Sequence, residues 1–103
     1  MIQVKIKQVS GLQTIKISGH AEAGPYGHDL VCAAVSALSA QLSASLSDAY
    51  ITDDGMTVFF KLNSFDAGDV RIVLGFKEVI KQMVSQYPDN IRLIASDEDG
   101  RQR

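Results

Sequence analysis

Pairs of strands alternating with single helices, in the order ββαββαβ, predict an α+β domain in which two packed helices cover one face of a sheet. Three observations carry that prediction. Apolar and polar residues alternate with a period of two near the start of the chain, and two long segments carry apolar residues at helical spacing. Ser10-Gly11 and Asp53-Asp54-Gly55 mark tight reversals between short β-prone runs. With 103 residues the chain has material for one core, since a domain of this size buries roughly 60–65% of its unfolded surface.

In the opening MIQVKIKQV, Ile2, Val4 and Ile6 face one way and Gln3, Lys5 and Lys7 the other, as in a half-buried strand. Ser10-Gly11 turns the chain, and residues 14–18 repeat the pattern with Ile15 and Ile17 inward and Lys16 outward. Residues 19–28, GHAEAGPYGH, hold three glycines and a proline and end the strand. Asp29 is a good N-cap for a helix that carries Val31, Val35, Leu38, Leu42 and Leu46 on one stripe. Ala33, Ala37, Ala40 and Ala44 form a second stripe, and Ser36, Ser39 and Ser43 a third. Stripes of such small residues predict a helix buried on more than one side.

Residues 50–52 and 57–62 read as strands around the Asp-Asp-Gly turn. A second helix over 66–86 sets Ile72, Phe76, Val79, Ile80, Met83 and Tyr87 on one side. Gly75 lies within it at a cost of about 1 kcal/mol against alanine, which marks either close packing on the first helix or simple tolerance. Pro88-Asp89-Asn90 ends the helix, residues 91–95 make a last strand, and the polar residues from 97 onward read as a frayed end. The domain expected is 1–97, with 98–103 a polar tail.

Ten Lys and Arg against twelve Asp and Glu give a net charge of -2. Proteins held to nucleic acid by phosphate neutralisation are normally basic, so no direct nucleic-acid partner is expected. Lys5, Lys7 and Lys16 form a basic strip on the first hairpin, for which a solvated sheet face is explanation enough. The single cysteine excludes an internal disulfide and a cysteine-only zinc site, and a lone thiol fits a reducing, cytoplasmic setting. The alternating first residues do not form a signal peptide. The longest apolar run, residues 30–38, is interrupted by Ser36 and falls far short of the roughly 18 residues of a membrane span.

Both histidines and the cysteine fall between residues 18 and 36. With Asp29 as N-cap, Cys32 would be the third helical residue, where free N–H groups and the helix dipole favour a thiolate nucleophile. A small buried hydrophobe is the alternative for a lone helical cysteine, and the Asp29 carboxylate opposes an anion there. His20, ending the second strand, is a candidate general base, or a histidine in an ordinary turn. His28 competes for that role from just outside the helix, with a solvated loop position as its alternative. A mixed site of His20, His28, Asp29 and Cys32 matches no common zinc spacing, so no metal and no cofactor is expected. Residues 24–27 lack the Lys-Ser/Thr of a phosphate cradle and read as a lid over the Cys/His pair or a long turn. The serines lie along one stripe without partners and support no serine nucleophile.

The residues go further than their spacing. Gly19-His20-Ala21, then Gly27, Asp29-Leu30-Val31-Cys32-Ala33-Ala34 and Ser36, resemble the signature of the bacterial ribosomal-processing cysteine protease family, Prp. The family pattern is G-H-A, a glycine-containing loop, then G-x-D-[IV]-V-C-A-A-x-S, with Leu30 here in place of the usual isoleucine. The resemblance extends to length and element order, though its specificity rests on these residues.

What it implies is a cytoplasmic, homodimeric cysteine endopeptidase acting in ribosome assembly. Its substrate would be the N-terminal extension of large-subunit ribosomal protein 27, cut beside an aromatic-rich motif. Cys32 would be the nucleophile and His20 the general base, with Gly19, Asp29 and Ser36 in support. Ala21, Glu22, Ala23, Gly24, Pro25, Tyr26, Gly27 and His28 would form a mobile loop. The alternative is a non-catalytic, ribosome-associated module that holds a hydrophobic peptide at its sheet edge.

Overall fold

The computed structural model describes residues 1–19 and 26–96, with the backbone alone over 26–29. Seven elements follow in the predicted order: β1 (Ile2–Val9), β2 (Leu12–Ser18), α1 (Tyr26–Ser45), β3 (Ala49–Asp53), β4 (Thr57–Asn63), α2 (Ala67–Gln86) and β5 (Ile91–Ser96). They form one five-stranded sheet in the order β3-β4-β2-β1-β5. β1 pairs antiparallel with β2 and parallel with β5, and β4 pairs antiparallel with both β2 and β3. The free edges are β3 and β5.

Period-two alternation sets the layers. Ile6, Ile15 and Phe60 lie side by side on one face of the sheet, and Val4, Leu62 and Ile91 share that face. Val31, Val35 and Leu42 of α1 and Val73, Phe76 and Ile80 of α2 close over them, and all of these residues belong to one buried cluster. Both helices therefore cover one face, and no other described element covers the opposite one.

The turns follow their residues. Ser10 and Gly11 both have positive φ, 49° and 81°, as a two-residue type I′ turn requires, and Val9 pairs with Leu12 across it. Asp66 caps α2, its carboxylate accepting the Asp69 N–H at 3.0 Å. That hydrogen bond holds the Asp66 carboxyl below its ordinary value of 3.8. Ser47, in the turn after α1, donates both its N–H (2.9 Å) and its hydroxyl (3.0 Å) to Asp69 Oδ1, tying the end of α1 to the start of α2.

Three expectations need correction. α1 begins at Tyr26, so Asp29 is its fourth residue and not its N-cap. Gly27, which reads as a breaker, falls in the first turn, where its cost of about 1 kcal/mol yields to the packing of the helix that follows. Of the expected loop over 21–28, Tyr26, Gly27 and His28 lie in helical backbone, and residues 21–25 fall outside the described residues. Ala33, Ala37, Ala40 and Ala44 are exposed, so α1 is buried along its Val31-Val35-Leu42 stripe and not on a second side. Among the described residues, no third layer beyond the sheet and α2 covers them. A Cβ on Gly75 would meet nothing within 4 Å, which decides for tolerance over close packing. The expected tail, residues 98–103, lies outside the described residues.

Candidate active site

Gly19 ends the β2 hairpin and has φ of +102°, a conformation that side chains rarely adopt. A Cβ there would run into the Met1 carbonyl oxygen and stand 3.1 Å from Ile2 Cα. Only glycine lets the chain leave β2 against the start of β1, and the next residue is His20. The histidine itself lies outside the described residues, as do the side chains of His28 and Asp29.

Cys32 sits in the second turn of α1, half-buried, with its inner side against the core. Because the helix starts at Tyr26, its unpaired N–H groups belong to residues 26–29, about 5–9 Å along the axis from Cys32. The Cys32 N–H falls within the helical ladder, so the helix start does not set beside the thiol the free N–H groups expected to favour a thiolate there. On the helix surface Cys32 does share the Ser36-Ser39-Ser43 line, as its spacing predicts.

That line forms one wall of a cleft of about 430 Å³. Ile2, Ile17 and Gly19 supply its floor from the sheet. Ile51, Asp53, Gly55, Met56 and Val58 of the β3–β4 hairpin form the opposite wall. Gly19, Cys32 and Ser36 thus meet in one concave surface, although sixteen residues lie between the first and last of them. An open, mainly apolar trough with a thiol and several hydroxyls on one side suits an extended peptide carrying bulky side chains.

The hairpin wall is pinned at its tip. Asp54 accepts hydrogen bonds from the Met56 N–H at 2.8 Å and the Thr57 N–H at 2.7 Å, and Asp53 accepts the Gly55 N–H at 2.9 Å. The first two hold the Asp54 carboxyl below its ordinary value of 3.8. Met56 stands 64% exposed at the cleft mouth. Sequence reading missed Ile51, Met56 and Val58 as site residues. Nothing in their own stretch signals it, because the sheet order alone brings the hairpin opposite α1.

Among the described residues, no three of His, Cys, Asp and Glu come together to hold a metal. No helix among them is long and apolar enough to cross a membrane.

The family model for cysteine protease Prp matches residues 1–92. This chain belongs to the cysteine protease Prp family. No curated protein matches it closely enough to count as a relative. Among solved structures it is similar to SMU.848 from Streptococcus mutans, with 26% identity, 95% of this chain and 96% of that one covered, and a TM-score of 0.74. It is also similar to the essential ribosomal processing protease Prp from S. aureus with a covalently linked product peptide. There the identity is 27%, coverage is 93% of this chain and 100% of that one, and the TM-score is 0.73. The same S. aureus protein with a substrate peptide superposes with a TM-score of 0.80 at 24% identity, over 93% and 100% of the two chains, a likeness of fold. The chain's one cysteine lines the cleft.

Proposed function

We propose that this protein is a ribosomal processing protease in which Cys32 is the nucleophile and His20 the general base. The observation that supports it is the shared cleft: Cys32 lines it, and so does Gly19, the residue to which His20 is bonded. The S. aureus relative, described as a ribosomal processing protease, is one in which a product peptide is covalently linked. The substrate of this chain is then the N-terminal extension of large-subunit ribosomal protein 27, its aromatic side chains seated between Ile17, Ile51, Met56 and Val58.

The chemistry balances with these groups alone. His20 takes the thiol proton, and Cys32 Sγ attacks the scissile carbonyl carbon, forming a C–S bond and a tetrahedral oxyanion. Collapse breaks the C–N bond, and the His20 imidazolium passes its proton to the leaving amine. His20 then activates water, which hydrolyses the thioester and restores the thiol. Gly19 positions His20 by its backbone, Ser36 lines the cleft one helical turn beyond Cys32, and Asp29 lies one turn before it. The protein acts in the cytoplasm as a homodimer, and Ala33, Ala37, Ala40 and Ala44 let a second copy approach α1 closely.

Cleavage of a peptide with an aromatic-rich ribosomal-protein leader, followed by mass spectrometry, tests this reading. The wild type should cut one bond, Cys32→Ala none, His20→Ala slower by orders of magnitude, and His28→Ala near normally. A peptide that binds but is cut by neither wild type nor variant would favour the non-catalytic binding module.

A further inference from the structure

Among the described residues, the sheet face turned away from the helices has no covering layer. Strand register arranges its side chains in rows. One row runs Ile94, Lys5, Lys16, Phe59 and Thr52 across the five strands, and the next runs Ser96, Lys7, Thr14, Lys61 and Tyr50. Arg92 lies one row further, beside Gln3. Neighbours on this grid stand about 5 Å apart across strands and about 7 Å along them.

Five of the chain's ten Lys and Arg residues project from this face, which leaves five basic against twelve acidic residues for the rest of the molecule. No described carboxylate shares the face, and none of the five makes an ion pair with a described residue. Lys5 and Lys16 are direct cross-strand partners, an arrangement of like charges that destabilises a sheet. A solvated face needs no such pair. A polyanion relieves it.

Aromatic rings are interleaved with the cations. Phe59 stands between Lys16 and Thr52. The Lys61 ammonium lies 5.7 Å from the centre of the Tyr50 ring, which is 61% exposed. Cations that track a backbone beside rings that stack bases are the two parts of a single-strand nucleic-acid platform. A membrane surface would ask instead for a continuous apolar face under the basic residues. The chain's net charge of -2 averages this face with an acidic remainder, so it does not bear on the face itself.

We infer that the open face of the sheet binds single-stranded RNA through Lys5, Lys7, Lys16, Lys61 and Arg92, with Tyr50 stacking a base. This surface lies across the sheet from the Cys32 cleft, so RNA and peptide bind to opposite sides of the molecule. The inference does not depend on the nucleophile assignment.

Fluorescence anisotropy with an oligouridine of about ten nucleotides tests it on the full chain. Binding should be measurable at about 50 mM salt and weaken steeply as salt rises. The triple variant Lys5→Gln, Lys16→Gln, Lys61→Gln should bind at least about tenfold more weakly, with a log-log salt slope shallower by about 2. Tyr50→Ala should lose about five- to tenfold at unchanged slope. Circular dichroism should show both variants folded, peptide cleavage should be unaltered in both, and Cys32→Ala should bind RNA as the wild type does. No RNA binding at low salt would overturn the proposal, as would binding that the triple variant leaves intact. Capture by phosphatidylserine vesicles in place of RNA would overturn it as well.

Discussion

The Met1 carbonyl oxygen occupies the space that a side chain on Gly19 would need. This contact couples the first residue of the described chain to the backbone position that precedes the proposed general base. Gly19→Ala would impose both a positive-φ strain of about 1–3 kcal/mol and a backbone clash. Thermal denaturation should show that loss. Peptide turnover should fall further than the unfolded fraction explains, because His20 is displaced with its neighbour. A variant that keeps wild-type stability and turnover would separate Gly19 from the site.

Asp69 is only 2% exposed, and Ser47 supplies its carboxyl oxygens with an N–H and a hydroxyl. Ser47→Ala removes one hydrogen bond from a buried side chain, a loss of about 1–3 kcal/mol. Urea denaturation should show a lower midpoint at unchanged slope. Active-site geometry should be untouched, since this staple lies at the far end of α1.

Gly75 offers the opposite case. Its missing side chain serves no packing, and alanine there should stabilise α2 by about 1 kcal/mol. The same denaturation experiment reads the gain, with turnover unchanged.

Acid should loosen the cleft wall. The folded Asp54 carboxyl titrates below its ordinary value of 3.8 because the Met56 and Thr57 N–H groups bind its charged form. Its contribution to stability is therefore complete above that ordinary value and is lost as pH falls through the depressed folded one. Asp66 acts in the same direction at the start of α2. Amide exchange at Met56 and Thr57 should speed up, relative to the intrinsic rate, only in that acid range. Asp54→Asn should blunt the effect at those two amides and leave α2 unaffected.

The elements themselves were legible in the sequence because each rests on local chemistry. The Ile2-Val4-Ile6 alternation, the Ser10-Gly11 turn, the Asp54 turn and the Asp66 cap all act within a few residues, and from β3 onward the structure follows the expected bounds to within one position, while the second strand begins two residues earlier, at Leu12. The start of α1 was not legible. Pro25, Gly27 and Asp29 are each ordinary residues for a loop or a cap, and the helical state of residues 26–28 is decided by the longer helix to which they are joined. The motif resemblance names Cys32 and Gly19 together and both line the cleft, while His20, the expected partner of Cys32, lies outside the described residues. The far wall of the cleft was not legible, because Ile51, Met56 and Val58 reach the site only through β4 pairing with β2, a contact between distant parts of the chain. The basic face was half visible: Lys5, Lys7 and Lys16 show as a strip, while Lys61, Arg92 and Tyr50 join it only through strand register.

The central claim is that Cys32 attacks the peptide bond. Intact-protein mass spectrometry of an acid-quenched single turnover, with the leader peptide in the cleft, tests it most directly. The account predicts a transient adduct with the mass of the N-terminal product less water, localised by fragmentation to Cys32 and absent from Cys32→Ala, which also leaves the peptide whole. Continued cleavage by Cys32→Ala, or an adduct on any other residue, would contradict it.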